Sequence, residues 1–253
     1  MDNVFFKNEQ SLFDLKGKKA LVTGSTQGIG FSIAKCLSDC GAHVFVNGAS
    51  SEEKVKKAAI KIGNATPIMA NLADKNDIDK IYAATGDVDI LILNASVQIR
   101  KRWDEITDDE FDCQVNTNFR SSVKLIQRMA PQMLKNRWGR IITIGSVQQH
   151  KPHKDMIIYA ALKAAQMNMT MNLAKQFAAC GVTVNNVAPG VIETPRNEEA
   201  LKDREYSKKV LEGIPMGVAG APEDCVGAVL LLCSEAGRYI TGENIDIDGG
   251  MKL

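Results

Sequence analysis

Tyr159 and Lys163 stand four residues apart in Tyr159-Ala-Ala-Leu-Lys163, and Ser146 lies upstream at the end of an apolar, strand-like run. On a helix that spacing puts both side chains on one face, where the Lys163 ammonium would favour the phenolate form of Tyr159. A phenol drawn down from its ordinary pKa of about 10 can act as an acid or base near neutrality. The same spacing also occurs on solvated helices, so the pair needs support from elsewhere. Near the N-terminus, Lys18-Lys19-Ala20-Leu21-Val22 runs into Thr23-Gly24-Ser25-Thr26-Gln27-Gly28-Ile29-Gly30 and then an amphipathic segment to Cys40, stopped by Gly41. This is the order strand, glycine-rich turn, helix. Glycines let the backbone approach a pyrophosphate, and the free amides and positive dipole end of the helix favour its charge.

Elements that position these residues can be read from the apolar runs. Strands are predicted at 20–23, 44–47, 66–70, 90–94, 140–144, 183–188 and 244–247. Most lack polar alternation, as expected of strands covered by helices on both faces. The expected fold is α/β, a Rossmann-type doubly wound parallel sheet of about seven strands. Thr107-Asp108-Asp109-Glu110 has the form of a capping box, and Pro222-Glu223-Asp224 supplies a proline and acids at another helix start. Ligands of such sheets bind at the carboxyl ends of the strands, where Gly24, Asn94, Ser146 and Pro189-Gly190 would gather.

In this order the features resemble the short-chain dehydrogenase/reductase family. The resemblance runs through nearly the whole chain and includes Asn118 in Thr117-Asn118-Phe119, Gly145-Ser146, Asn185 before Val187-Ala188-Pro189-Gly190, Thr194, and Asp248-Gly249-Gly250. It implies a catalytic set of Asn118, Ser146, Tyr159 and Lys163. Ser146 would orient a substrate oxygen and Tyr159 would exchange the proton. Lys163 would lower the Tyr159 pKa and hold the nicotinamide ribose, and Asn118 would help fix a water that relays protons from Lys163. The resemblance further implies that Gly24, Ser25, Thr26, Gln27, Gly28, Ile29 and Gly30 cradle the dinucleotide. Asn71 and Leu72 would meet the adenine, Asn94, Ala95 and Ser96 would pass the ribose, and Pro189, Gly190, Ile192 and Thr194 would frame the nicotinamide.

Three departures from the family pattern stand out. Leu93-Asn94-Ala95-Ser96 replaces the common Asn-Asn-Ala-Gly, adding a hydroxymethyl group where the chain meets cofactor and substrate. Asn71 stands where many relatives have an aspartate, though an amide oxygen can still accept a hydrogen bond. Val46-Asn47-Gly48-Ala49-Ser50-Ser51 carries no acid for a ribose 2′-hydroxyl, and the arginines that often meet a 2′-phosphate are also missing. A small, uncharged pocket around Asn47 and Ala49 tolerates a phosphate better than a carboxylate would, so NADP(H) is expected over NAD(H).

Val97-Gln98-Ile99-Arg100-Lys101-Arg102 and Val147-Gln148-Gln149-His150-Lys151-Pro152-His153-Lys154 are polar and cationic loops beside the site. They suit a hydroxylated, anionic small-molecule substrate, with Arg100 and Gln148 as candidate contacts beside Ser146 and Tyr159. They also resemble the branch of sugar-acid dehydrogenases that includes gluconate 5-dehydrogenase. The expected reaction is interconversion of a secondary alcohol and a ketone, most simply on a sugar acid or polyol. The competing expectations are a 3-oxoacyl-acyl carrier protein reductase and, from another class, a dinucleotide sensor without catalysis. Against the sensor, binding alone requires neither Ser146 nor the Tyr159 hydroxyl.

At 253 residues and 45% hydrophobic content the chain is long enough for one domain spanning 1–253, with a lid insert near 196–215. A net charge of +1 gives no bulk electrostatic case for nucleic acid or an anionic membrane. Residues 1–9 carry charges where a signal peptide needs an apolar core, so a cytoplasmic protein is expected. The six cysteines lack CxxC spacing, and neither Cys36 with Cys40 nor His150 with His153 has an evident third ligand, so no metal is expected. The family resemblance implies a homotetramer with contacts through two long helices, at 119–135 and 159–180.

Overall fold

Seven parallel strands form one sheet in the order β3-β2-β1-β4-β5-β6-β7. They are β1 (Lys19–Val22), β2 (His43–Gly48), β3 (Ala65–Met69), β4 (Ile90–Leu93), β5 (Gly139–Ile144), β6 (Val182–Pro189) and β7 (Asn244–Ile247). The computed structural model describes residues 12–253, so the charged start at 1–9 lies outside the described residues. Every strand lies within one residue of its predicted bounds. The helices are α1 (Gly28–Asp39), α2 (Glu52–Ile62), α3 (Asp77–Thr85), α4 (Asp108–Val115), α5 (Ser121–Asn136), α6 (Ile157–Phe177), α7 (Glu198–Lys202), α8 (Arg204–Glu212) and α9 (Val226–Cys233). No helix among the described residues is long and apolar enough to cross a membrane.

Successive strand residues point to opposite faces, which explains why the strands are apolar throughout. Ala20, Val22, Val44, Val46, Ile90, Ile92, Ile142 and Ile144 pack with α1, α2 and α9. Leu21, Phe45, Leu91, Leu93 and Ile141 face the other way, toward α3 and α5. The chain winds outward from β1 to β3, then crosses back so that β4 pairs with β1. In sheets of this kind ligands bind at such a reversal, which here lies above the carboxyl ends of β1 and β4.

Helix α6 departs from a greasy contact. Its buried residues include Tyr159, Lys163, Gln166 and Thr170, spaced like one helical face but largely polar. Three of them find partners on β5 or the neighbouring helix α5. Lys163 Nζ donates to the Ile144 carbonyl at 2.6 Å, Gln166 Nε2 to Ser122 Oγ at 3.2 Å, and Thr170 Oγ1 lies 3.1 Å from Thr143 Oγ1. Thr143 in turn donates to Asn186 Oδ1 at 2.5 Å. The catalytic candidates of α6 thus belong to a hydrogen-bonded polar seam, in which only Gln166 Oε1 lacks a partner, and which fixes their rotamers in a way that aliphatic packing alone does not.

Between α4 and α5 the helix passes through a π-helical turn, Asn116–Arg120, containing Asn118. Such turns are rare and recur at functional sites. The Thr107 capping box at the start of α4 is formed in both directions, by Thr107 Oγ1 with Glu110 N and by Glu110 Oε2 with Thr107 N.

Candidate active site

The glycine turn after β1 is braced from below. Thr23 Oγ1 accepts from the amides of Asn94 at 2.9 Å and Ala95 at 3.0 Å, and Asn94 Nδ2 donates to the carbonyls of Thr23 and Gly24, both at 2.9 Å. Gly24 has φ +61°, and a Cβ there would lie 2.9 Å from Ala95 Cα; at Gly30 it would drive into the Asn94 amide and the Gly24 carbonyl. These two positions are glycine because β4 leaves no room. At Gly28, with φ +58°, a Cβ would lie 3.2 Å from Thr194 Cγ2, so the loop after β6 closes the far side of the turn. Gln27 gives α1 no side-chain cap, and its first turn holds no acid. The N-terminal amides of α1 are therefore free for an anion, and the cradle fits the pyrophosphate of a dinucleotide.

At the end of β5, Gly145 packs against Asn186 and Gln149, where a Cβ would come within 2.5 Å and 2.6 Å of their side-chain atoms. This places Ser146 in extended backbone, as cap of a short 3-10 turn, its Oγ accepting from Gln148 N at 3.2 Å. The hydroxyl proton of Ser146 stays available. Tyr159 is buried, with the side chains of Ser146, Arg196 and Ser96 within hydrogen-bonding reach of its phenol. Lys163 is 1% exposed and lies 5.5 Å from the centre of the Tyr159 ring.

The electrostatics differ from the expectation drawn from spacing. Burial raises the Tyr159 pKa above its ordinary value, and the nearby Arg196 charge offsets this only in part. Lys163 is not among the groups that lower it: burial, reinforced by the Arg196 charge, brings Lys163 itself down to about 7, so its amine is neutral at the pH where the phenol titrates, and it donates to the Ile144 carbonyl. The cation nearest the phenol is Arg196, which the sequence reading passed over as the first residue of a lid. Its Nη2 donates to the Ser96 carbonyl at 2.6 Å and to Ser96 Oγ at 3.0 Å. The signal was a cation two residues after Thr194.

Asn118 has a structural duty that its sequence context does not show. It is 0% exposed, and its side chain bonds to Val97, accepting from the amide at 2.7 Å and donating to the carbonyl at 2.8 Å. Its own carbonyl accepts from Ser122 Oγ at 3.2 Å. The side chain clamps the segment after β4 with one of its two N–H donors and one of its two oxygen lone pairs.

On the substrate side, Gln148 Oε1 accepts from His153 N at 2.6 Å, His153 Nε2 lies 2.7 Å from Arg100 Nη2, and Arg100 Nη1 donates to Tyr206 Oη of α8 at 3.2 Å. Arg100, expected as a direct substrate contact, also reaches α8 through this bond. The two histidines are parted, His150 lying 3.6 Å from Asp246 across a network with Gln149 and Asn244. Burial and the Arg100 charge hold His153 below the ordinary histidine range. All six cysteines are free, and burial pushes the Cys225 thiol up to about 12.

Residues 24–252 match the family model described as enoyl-(acyl carrier protein) reductase. The chain belongs to the short-chain dehydrogenase/reductase family. It is 33% identical to 3-oxoacyl-[acyl-carrier-protein] reductase of Rickettsia conorii over 96% of this chain and 100% of that one. Among solved structures, a 3-oxoacyl (acyl-carrier-protein) reductase from Agrobacterium tumefaciens with NADP bound superposes with a TM-score of 0.90 at 36% identity, covering 98% of this chain and 100% of the other. A gluconate 5-dehydrogenase from Burkholderia cenocepacia, in complex with NADP and tartrate, gives 0.88 at 30% identity and covers 94% and 96% of the two chains. This short-chain dehydrogenase/reductase is an oxidoreductase acting on CH–OH groups.

Several residues expected to touch the cofactor also have structural partners in this dehydrogenase/reductase. Asn47 is buried beneath the glycine turn, its Oδ1 accepting from Gly24 N at 3.3 Å and its Nδ2 donating to the Ala70 carbonyl at 3.0 Å. It braces the cradle and leaves no side-chain atom in the pocket. Asn71 Oδ1 accepts from Ala73 N at 3.1 Å, while the Leu72 side chain is buried in the core under α3 and α5. Ala49 and Ser50 are exposed at the end of β2 and Ser51 caps α2. Pro189 pairs with Ile247, a Cβ at Gly190 would lie 2.8 Å from Asp248, and Ile192 bridges to Gly220.

Proposed function

We propose that the protein is an NADP(H)-preferring enzyme that interconverts a secondary alcohol and a ketone on a sugar acid or polyol. The observation that carries the substrate class is the polar, cationic line running from the Ser146 turn through Gln148, His153 and Arg100 to Tyr206. Such a wall suits a hydroxylated, anionic molecule and offers an acyl chain little apolar surface.

A bound nicotinamide supplies or takes the hydride. The chain's own residues do the rest. The glycine turn and the free amides of α1 hold the pyrophosphate, with Pro189, Gly190 and Thr194 closing the nicotinamide end. Ser146 donates to the substrate oxygen and orients it. Tyr159 exchanges the proton at that oxygen, and its buried phenol is protonated at neutral pH, ready to act as the acid in carbonyl reduction. Lys163 presents its amine to the ribose and, with a pKa of about 7, can give or take a proton near neutrality. Asn118 positions Val97 and through it the segment bearing Ser96. Support for NADP(H) comes from the absence of an acid at the end of β2 and from Glu52 and Glu53 of α2 being drawn to Lys56 and Lys57 one turn on. Both cited solved relatives hold NADP.

A second reading, 3-oxoacyl-acyl carrier protein reductase, is favoured by the near-full-length similarity to enzymes of that name. The test is a turnover panel following cofactor absorbance, with NADPH and NADH against keto sugar acids, ketoses and acetoacetyl thioesters, and Tyr159→Phe as the blank. Turnover of thioesters alone rejects the sugar-acid reading; faster turnover with NADH rejects the cofactor preference. We further propose a single domain assembled as a homotetramer through α5 and α6, for which light scattering should give four chain masses.

A further inference from the structure

Arg196 sits at the reaction centre without a carboxylate partner. Arg102 pairs with Asp104, Arg128 with Asp79 and Arg140 with Glu235, but among the described residues no acid pairs with Arg196. Its guanidinium lies within hydrogen-bonding reach of the Tyr159 phenol and grips Ser96 through both carbonyl and hydroxyl. The loop beneath it is fixed. Glu193 N donates to the Gly220 carbonyl at 2.8 Å, Asn197 N to the Thr194 carbonyl at 2.9 Å, and Asn197 Nδ2 to the Ile192 carbonyl at 2.9 Å. The hydroxyl it holds is the one that replaces the family's glycine, so the departure at Ser96 and the cation at Arg196 form one unit. The exposed Arg196 guanidinium and the buried Lys163 ammonium approach this site from opposite sides, and the repulsion is felt at Lys163. A carboxylate relieves that repulsion and matches the planar guanidinium fork.

We infer that Arg196, with the Ser96 hydroxyl beside it, binds a carboxylate that the substrate carries close to its reacting carbon. Arg196 exchanges its hold on Ser96 and Tyr159 for that carboxylate, which frees the phenol for the substrate oxygen. Since that oxygen sits on Ser146 and Tyr159, the carboxylate belongs on the carbon next to it or one beyond, as in a 2-keto or 3-keto acid. This rests on the sugar-acid reading and narrows it, choosing acids over neutral polyols.

The test titrates tartrate, a hydroxy diacid, into the NADP+-loaded protein by calorimetry, for the parent, Arg196→Met, Arg196→Lys and Ser96→Gly. Melting temperature and NADP+ affinity of each variant serve as controls. The tartrate Kd should rise roughly 30-fold in Arg196→Met, as for the loss of a charged hydrogen-bonded partner. It should rise less in Arg196→Lys, which keeps the charge and loses the fork, and only a few-fold in Ser96→Gly. The ratio of kcat/KM for a keto acid over its neutral methyl ester should fall in the same order. Equal tartrate affinity in the parent and Arg196→Met, or no tartrate binding to the parent, overturns the inference. If the parent turns over only thioesters while tartrate binding still depends on Arg196, the sugar-acid reading fails and the carboxylate site stands. Turnover of sugar acids with an unchanged Arg196→Met does the reverse.

Discussion

The glycine turn after β1 is held by Thr23 and Asn94 below it, by Asn47 beside it and by Ala95 against Gly24, whereas the loop before α7 and helix α8 reach toward the same region through Arg196 on Ser96 and Tyr206 on Arg100. The first set consists of buried bonds between strands of one sheet. The second consists of long, exposed side chains laid across a gap. The glycine turn is therefore preorganised, while the side carrying Arg196 and Tyr206 is held by fewer and more exposed contacts. One fold can keep its redox chemistry and change its substrate by altering only the second set.

The sharpest perturbation lies where the two regions meet. Tyr159→Phe should cut kcat by about 10³-fold, within the usual range for loss of an acid/base group. Its NADP(H) affinity should match the parent's in a fluorescence titration; an active variant would remove Tyr159 from proton transfer.

Breaking the cradle itself is the next largest effect. Gly30→Ala puts a methyl into the Asn94 amide and Gly24 carbonyl, so it should cost about 1–3 kcal/mol of stability and weaken NADP(H) binding at least tenfold. A normal melting curve and normal binding would mean that the turn is looser than its bonds suggest.

Lys163 tests whether the polar seam of α6 costs stability. Its folded pKa of about 7 lies below that of an unfolded lysine, so between the two values the unfolded chain binds the extra proton. Stability from this group must then rise with pH across that window, and below it the fold carries a buried ammonium at full cost. The melting temperature of Lys163→Met relative to the parent should be highest below pH 7 and decline toward pH 10. A difference that stays flat with pH contradicts this.

The smallest effect belongs to the lid. Tyr206→Phe removes one hydrogen bond, worth about 1 kcal/mol, and should raise the substrate KM several-fold while the NADP(H) Kd stays put. A matching loss of cofactor affinity would erase the distinction between the two regions.

The strands were legible because buried parallel strands are uniformly apolar, and the glycine turn because its spacing follows from backbone clashes with β4. Tyr159, Ser146 and Lys163 could be placed together for the same reason: strand ends converge. What the sequence concealed was allocation. Asn47, Asn71 and Asn118 have side chains that can serve a ligand or a neighbouring amide equally well, and only the three-dimensional neighbours decide. Arg196 was hidden because a cation in a polar, lid-like segment looks solvated until the loop after β6 is seen folding back onto Ser96. The direction of the Tyr159 shift was missed because spacing gives proximity but not burial.

The π turn at Asn116–Arg120 settles a problem of gearing. The buried positions Gln114, Asn118, Ser122, Ile126 and Ala130 recur every fourth residue, as do Thr117, Ser121, Leu125, Met129 and Met133. An α-helix advances 3.6 residues per turn, so four such steps would carry the stripe about 160° around the axis. The wider turn returns roughly one residue's rotation, about 100°. Gln114 and Asn118 can then grip the segment after β4 while Leu125, Met129 and Met133 still face the sheet. Removing one residue from this turn would leave a smoother helix that serves one of those surfaces and turns its back on the other.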